Sequence, residues 1–212
     1  MQRTGTRWTR ATWHGLGLAV LMLASTGQAW SQSAEMFGVT YEPTITVDGR
    51  PLHLNGTGVA FRALAKLYTV GLYVPNKSQQ ASTVLGMAGP KQLRFVMLQG
   101  MRVDELGKVI TNGIEANSSR EQFFRLIPAI RAMGEQFGRM PRLAPHDVVT
   151  LDDAPQRGTV IAVNGQAMGT PIKDPAFFPA VLRVWLGDKP STMDLKNALL
   201  DSKAQPVLSA LE

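Results

Sequence analysis

The sequence contains no cysteine in its 212 residues. That excludes a disulfide framework, thiolate zinc sites, iron–sulfur clusters and a cysteine nucleophile. Histidine is scarce as well: His14, His53 and His146 are too few and too scattered for a His-rich metal centre. No metal and no cofactor is therefore expected. There is no G-x-S-x-G, no Walker loop, no G-x-G-x-x-G and no H-E-x-x-H. Gly56-Thr57-Gly58 is a short glycine pair, but a strand pattern follows it and not a helix N-terminus, so a phosphate cradle is not expected. Asp152-Asp153 stands just before Pro155 with no third ligand nearby in sequence, which suits a solvated turn better than a metal or acid pair. What is present is 44% hydrophobic residues, enough to place the chain in the globular class.

The N-terminus has to be set aside before the charge is interpreted. Arg3, Arg7 and Arg10 occur without any acid, and an apolar run (residues 16–24) follows. Small and polar residues come next. This is the layout of a secretory signal. The run is too short for a bilayer span, which needs about 20 apolar residues. Gly27-Gln28-Ala29 supplies small residues at −3 and −1, favouring a leader of residues 1–29. Cleavage after Ala34 is the second choice, and an uncleaved anchoring helix the alternative. Removing the leader leaves 19 basic against 16 acidic side chains, a net charge of +3. The signs are interspersed and no basic run with aromatic interleaving exists, so nucleic acid is not an expected partner. A periplasmic or secreted protein without a stable membrane span after processing is expected. Lacking cysteine, it runs no risk of mispairing in an oxidising compartment.

Residues 30–212 alternate between strand and helix patterns without an internal linker, which suggests one α+β domain. Residues 37–41 and 44–47 show apolar/polar alternation. Asp48-Gly49 predicts a hairpin turn into a return strand at 51–54. Residues 59–74 favour strand, either two strands or one broken near 62–65. A short helix capped by Ser82 is expected over 83–87, then a strand at 93–98. From Asp104, Leu106, Val109, Ile110, Gly113 and Ile114 make one apolar helical stripe. A second helix starts near Ser119, with Phe123, Phe124, Ile127, Ile130 and Phe137 on its inner side and Pro128 as a kink or break. Strands follow at 148–151 and 159–163, with Asn164-Gly165 turning into 166–168. A helix from Asp174-Pro175 runs through Leu186, with Pro179 in its first turn. A last helix begins at Ser191.

One unbroken strand over 60–72 would place Ala60, Arg62, Leu64, Lys66, Tyr68, Val70 and Leu72 on one face. Arg62 and Tyr68 would then look into one cleft, a sound pair for a carboxylate or phenolate oxygen. The plainer alternative puts Tyr68 in the core and Arg62 in solvent. Glu105 and Asn112 are seven residues apart and share a helix face.

The stretches Leu54-Asn55-Gly56-Thr57-Gly58-Val59 and Lys66-Leu67-Tyr68-Thr69-Val70-Gly71-Leu72-Tyr73-Val74 resemble the chalcone isomerase-like family, especially its exported bacterial branch. So, in order, do the strand at 93–98, the helix carrying Lys108, Val109 and Asn112, the segment Val163-Asn164-Gly165, and residues 177–190. The resemblance implies an open-faced β-sandwich, an antiparallel sheet backed by helices with a ligand cleft between them. It also implies where cleft residues fall. The family's arginine position is Ala60 here, with Arg62 two residues on as a substitute. Its threonine position is Tyr68, with Thr69 beside it. Its tyrosine position is Glu105, its asparagine is Asn112, and its late Thr/Ser falls near Met168.

Losing the cleft arginine removes the charge that would stabilise an attacking phenolate, a loss of about 2.7–4 kcal/mol for a comparable donor. Non-catalytic relatives in the family bind fatty acids, so the resemblance implies a non-catalytic protein holding a fatty acid or another small apolar, planar or carboxylate ligand, with Arg62, Tyr68, Thr69, Glu105 and Asn112 as ligand-binding residues. Two alternatives stay open: a weak isomerase of the intramolecular-lyase kind, and a partner-binding envelope protein whose cleft is filled by its own abundant methionines. No particular protein partner is indicated. The discriminating feature is whether Arg62 reaches Tyr68 and Asn112.

Overall fold

The computed structural model describes residues 34–140 and 142–201. The expected leader lies outside the described residues, as does the chain beyond Asp201. The elements in chain order are β1 (Ala34–Met36), β2 (Val39–Tyr41), β3 (Thr44–Val47), β4 (Arg50–Arg62), β5 (Ala65–Val74), α1 (Ala81–Gly86), β6 (Lys91–Met97) and β7 (Met101–Arg102). They continue with α2 (Val103–Ala116), α3 (Arg120–Phe137), β8 (Arg142–Leu143), β9 (Val148–Ala154), β10 (Gly158–Val163), β11 (Gln166–Ala167), α4 (Phe177–Leu186) and α5 (Met193–Leu200).

Seven strands form one antiparallel sheet in the order β11-β10-β9-β6-β5-β4-β3. Alternation along β5 serves both of its faces. Tyr68, Val70, Leu72 and Val74 join the large core with the helices, while Tyr73 joins a smaller cluster with Tyr41 and Leu52. The β1–β2 hairpin covers that second face over β4 and β5: a Cβ at Gly71 would stand 2.6 Å from the Tyr41 ring. The architecture is thus an antiparallel sheet backed by helices on one side and capped by a hairpin on the other.

The turns follow their dipeptides. Asp48-Gly49 and Asn164-Gly165 hold φ of +52°, +74°, +51° and +80°, the left-handed conformations a two-residue hairpin needs. Residues 37–41 are not one strand, because Phe37 and Gly38 turn at φ +52° and +75°. The return strand after Asp48-Gly49 does not stop at Leu54. It continues through the glycines to Arg62 with an irregularity at Asn55. At Ala63, φ of +52° turns the chain back into β5. The stretch 59–74 is thus divided at 63–64, as the reading of two strands or a break near 62–65 expects, and the unbroken strand over 60–72 does not form.

α4 is apolar at every position but Arg183 and buried accordingly, so it lies against the sheet as the central helix. α2 packs across it where Gly113 meets Val184; a Cβ at Gly113 would stand 2.5 Å from Val184 Cγ1. Ser119 caps α3 with a full capping box to Gln122. α3 passes through Pro128 without ending. Its inner face is Leu126, Ala129, Met133, Gln136 and Phe137, whereas Phe124 and Ile127 are exposed. The inner stripe is thus rotated from the expected one, because the helix packs along its α2 side. Ser82 does not cap α1, whose N-cap is Gln80. Thr192, not Ser191, caps α5. Asp152 and Asp153 sit within β9, not in a solvated turn.

Candidate functional site

The β4–β5 hairpin carries most of the candidate residues, and its geometry begins at Asn55. The irregularity there turns Asn55 inward, fully buried. Its Nδ2 donates to Leu199 O at 2.7 Å and to Ser78 O at 3.0 Å, and its Oδ1 accepts from Ser78 N at 2.8 Å. One side chain thereby ties the end of α5 and the loop after β5 to the sheet. The next residue, Gly56, leaves no room for a side chain, because a Cβ would lie 2.3 Å from Ala198 O. The glycine-rich stretch is a helix-docking platform, with α5 filling the space over Gly56 and Gly58.

Beyond this platform Ala60 pairs with Tyr68. Tyr68 is buried on the helix side, edge-on to Phe95 with ring centroids 5.5 Å apart, and Phe95 in turn lies 5.2 Å from Trp185. Burial pushes the Tyr68 hydroxyl up to about 12, with the nearby Trp185 indole pulling the other way. Tyr68 therefore stays a neutral donor at ordinary pH and cannot serve as a base. Trp185 Nε1 is buried but has no hydrogen-bond partner, so its contact with the Tyr68 hydroxyl is outside bonding geometry. A buried N–H without an acceptor costs about 1–3 kcal/mol.

Thr69 points the other way. It shares a 2.8 Å hydrogen bond with the Tyr41 hydroxyl under the β1–β2 hairpin. Burial drives the Tyr41 hydroxyl above its usual range. Arg62 is exposed and bonds Glu105 through Nη2 at 2.6 Å. That bond holds the Glu105 carboxyl below its ordinary value. Asn112 is exposed on α2 and lines a groove of about 450 Å³ between α2 and α3, with Lys108, Thr111, Ile130 and Met133 among its neighbours. A second groove of about 430 Å³, between the start of α3 and α4, holds Arg125, Asp174 and Arg183 and none of the predicted residues.

The five predicted residues thus occupy four places. Arg62 and Glu105 meet each other, but Arg62 bonds neither Tyr68 nor Asn112. Tyr68 and Thr69 lie on opposite faces of the sheet, and Asn112 belongs to the α2–α3 groove. The expected single cleft rimmed by Arg62, Tyr68 and Asn112 does not form, because the turn at Ala63 breaks the strand on which that alignment depended. Trp185, which no sequence pattern singled out, is a polar neighbour of the Tyr68 hydroxyl. Its only signal was its place in the resembling segment at 177–190. Among the described residues no cluster of three or more His, Asp or Glu is placed to hold a metal ion.

A seven-stranded antiparallel sheet with helices on one face, and a Tyr–Trp pair buried between the layers, defines a small open-faced sandwich. The chain belongs to the chalcone isomerase-like family, whose model matches residues 33–201. Among solved structures, a fatty-acid binding protein of Arabidopsis thaliana shares the fold. Its TM-score is 0.61 at 14% identity, over 81% of this chain and 97% of that one. No curated protein matches the sequence closely enough to count as a relative.

Proposed function

We propose that this protein is a non-catalytic carrier of a small apolar ligand with one acceptor group at its polar end, a fatty acid being the leading member of that class. The observation that carries the reading is the unpartnered Trp185 N–H beside the neutral Tyr68 hydroxyl, both buried between sheet and helices. Two neutral donors in an apolar setting suit a carboxyl or carbonyl oxygen, and a ligand there removes the cost of the unpaired N–H. The Arabidopsis thaliana fold neighbour is itself a fatty-acid binding protein, which supports the same class. A catalytic reading has weaker support: Ala60 stands at the arginine position, and Arg62 is bound to Glu105.

Native mass spectrometry of the full chain tests this. A co-purified mass that leaves on denaturation is expected, and W185F should weaken its retention about tenfold, the worth of one buried hydrogen bond. A clean apo mass that does not shift on adding fatty acids or chalcones would overturn the reading in favour of an interior filled by its own side chains.

We also propose that the protein is exported. Cleavage after Ala34 would cut into β1, whereas cleavage after Ala29 leaves that strand whole. Expression in an exporting host should therefore yield a protein beginning at Trp30. An intact mass that retains Met1 would sink the proposal.

A further inference from the structure

Two turns at one end of the sheet carry large apolar side chains that stay exposed among the described residues. Phe37 in the β1–β2 turn is 45% exposed, Phe61 at the end of β4 is 50% exposed, and Leu64 at the tip of the β4–β5 turn is 97% exposed. None of them belongs to either hydrophobic cluster. The two turns are neighbours, because Lys66 Nζ lies 4.0 Å from the centre of the Phe37 ring. Chain segment 55–72 contains Arg62 and Lys66 and no acid at all. Glu105 neutralises Arg62, whereas Lys66 has no ion-pair partner among the described residues. Glu35, on β1, is the acid nearest in sequence to Phe37.

We propose that this pair of turns is a lipid-surface contact, which dips Phe37, Phe61 and Leu64 into the interfacial region of a bilayer with Lys66 at headgroup level. A protein partner fits less well. A stable protein interface needs about 800 Å² per side, and three side chains on a convex tip supply only a fraction of that. A bilayer needs no complementary surface, only apolar groups that project, and Leu64 projects almost completely. Turn backbone stays hydrated at the headgroup level, so insertion leaves no buried peptide group unpaired. With one uncompensated cation, anionic lipid strengthens the contact only modestly, and the apolar side chains carry most of it. The inference does not depend on the ligand reading, although the tip runs directly into Ala60 and its partner Tyr68.

The absence of cysteine makes the test clean. The full chain is prepared as L64C, and separately as Q156C in the β9–β10 turn at the opposite end of the sheet, each labelled with the fluorophore NBD. Both are mixed with vesicles of phosphatidylcholine and phosphatidylglycerol, with or without doxyl-labelled lipid. Reading depth at one position separates the tip from any binding by the N-terminal segment. The label at 64 should shift to the blue and be quenched by doxyl lipid, while the label at 156 stays in water. Adding F61S should weaken the half-saturation of the signal at 64 about tenfold, the effect of one lost aromatic contact. A label at 64 that stays in water overturns the proposal. So does a blue shift that needs no vesicles and grows with protein concentration, which would assign the tip to self-association. In either case the mass-spectrometric ligand retention is untouched, so the two readings fail separately.

Discussion

Asp152 shows what one half-buried carboxyl does inside a sheet. Gln92 Nε2 donates to its Oδ1 at 2.8 Å, while Gln92 Oε1 is buried without a partner. Burial raises the Asp152 carboxyl above its ordinary value of 3.8, against the Gln92 bond and the Arg157 charge. A carboxyl raised in the fold favours folding while protonated and opposes it once ionised, so its contribution is lost as pH rises through the folded value. D152N removes that charge and brings a donor that Gln92 Oε1 lacks. It should stabilise the protein by about 1 kcal/mol at neutral pH. It should also flatten the decline in stability as pH rises above the ordinary carboxylate range. Only partial flattening is expected, because burial raises Asp153 too, against Lys91 at 3.6 Å. Urea unfolding across pH checks this, and a variant no more stable than the parent at neutral pH would refute it. Residue-level environments of this kind were poorly legible in the sequence: an Asp-Asp pair before proline looks like a turn until strand pairing places it opposite Lys91 and Gln92.

Elements were more legible, because their signals are local. The Asp-Gly and Asn-Gly turns and the start of α3 at Ser119 follow from two to four residues each. β4 was underestimated because Asn55-Gly56-Thr57-Gly58 resembles a flexible point, whereas α5 lies over those glycines. That contact predicts an asymmetry. G56A drives a Cβ against the Ala198 carbonyl at 2.3 Å, and backbone cannot step aside cheaply. G58A meets the end of the Leu195 side chain, which can turn away, and the Ala198 Cβ at 3.1 Å, which needs only a small shift. The first should cost about 3 kcal/mol and the second about 1. Equal effects in denaturant unfolding would show that α5 adjusts as a body.

At the scale of the whole molecule the sequence was legible only through resemblance. Periodicity finds α2 and α3 but not that β6 and β9 are neighbours, since pairing is fixed by core closure and not by either strand alone. The candidate site suffered for the same reason. Whether Arg62 and Tyr68 share a cleft depended on whether the stretch 59–74 breaks; a break near 62–65 was legible as one reading, but the left-handed turn at Ala63 that makes it was not, since alanine gives no warning of that conformation. The Trp185–Tyr68 pair required packing of α4 on β5, a contact between segments more than a hundred residues apart.

The placement of α2 and α3 also sets the order of assembly. β3 to β6 form a meander of near neighbours that can pair early, but residues 98–147 separate β6 from β9. Closing that excursion costs chain entropy before any β6–β9 bond returns it, and such contacts slow folding. Until the two helices have packed and delivered β9, the hydrophobic strand β6 is an open edge able to recruit a foreign strand. The finished sheet hides this hazard, because its outer strands β11 and β3 have only 2 and 4 residues. The chain is thus most vulnerable to aggregation midway through folding, and a substitution that loosens α2 from α4 would lengthen that interval.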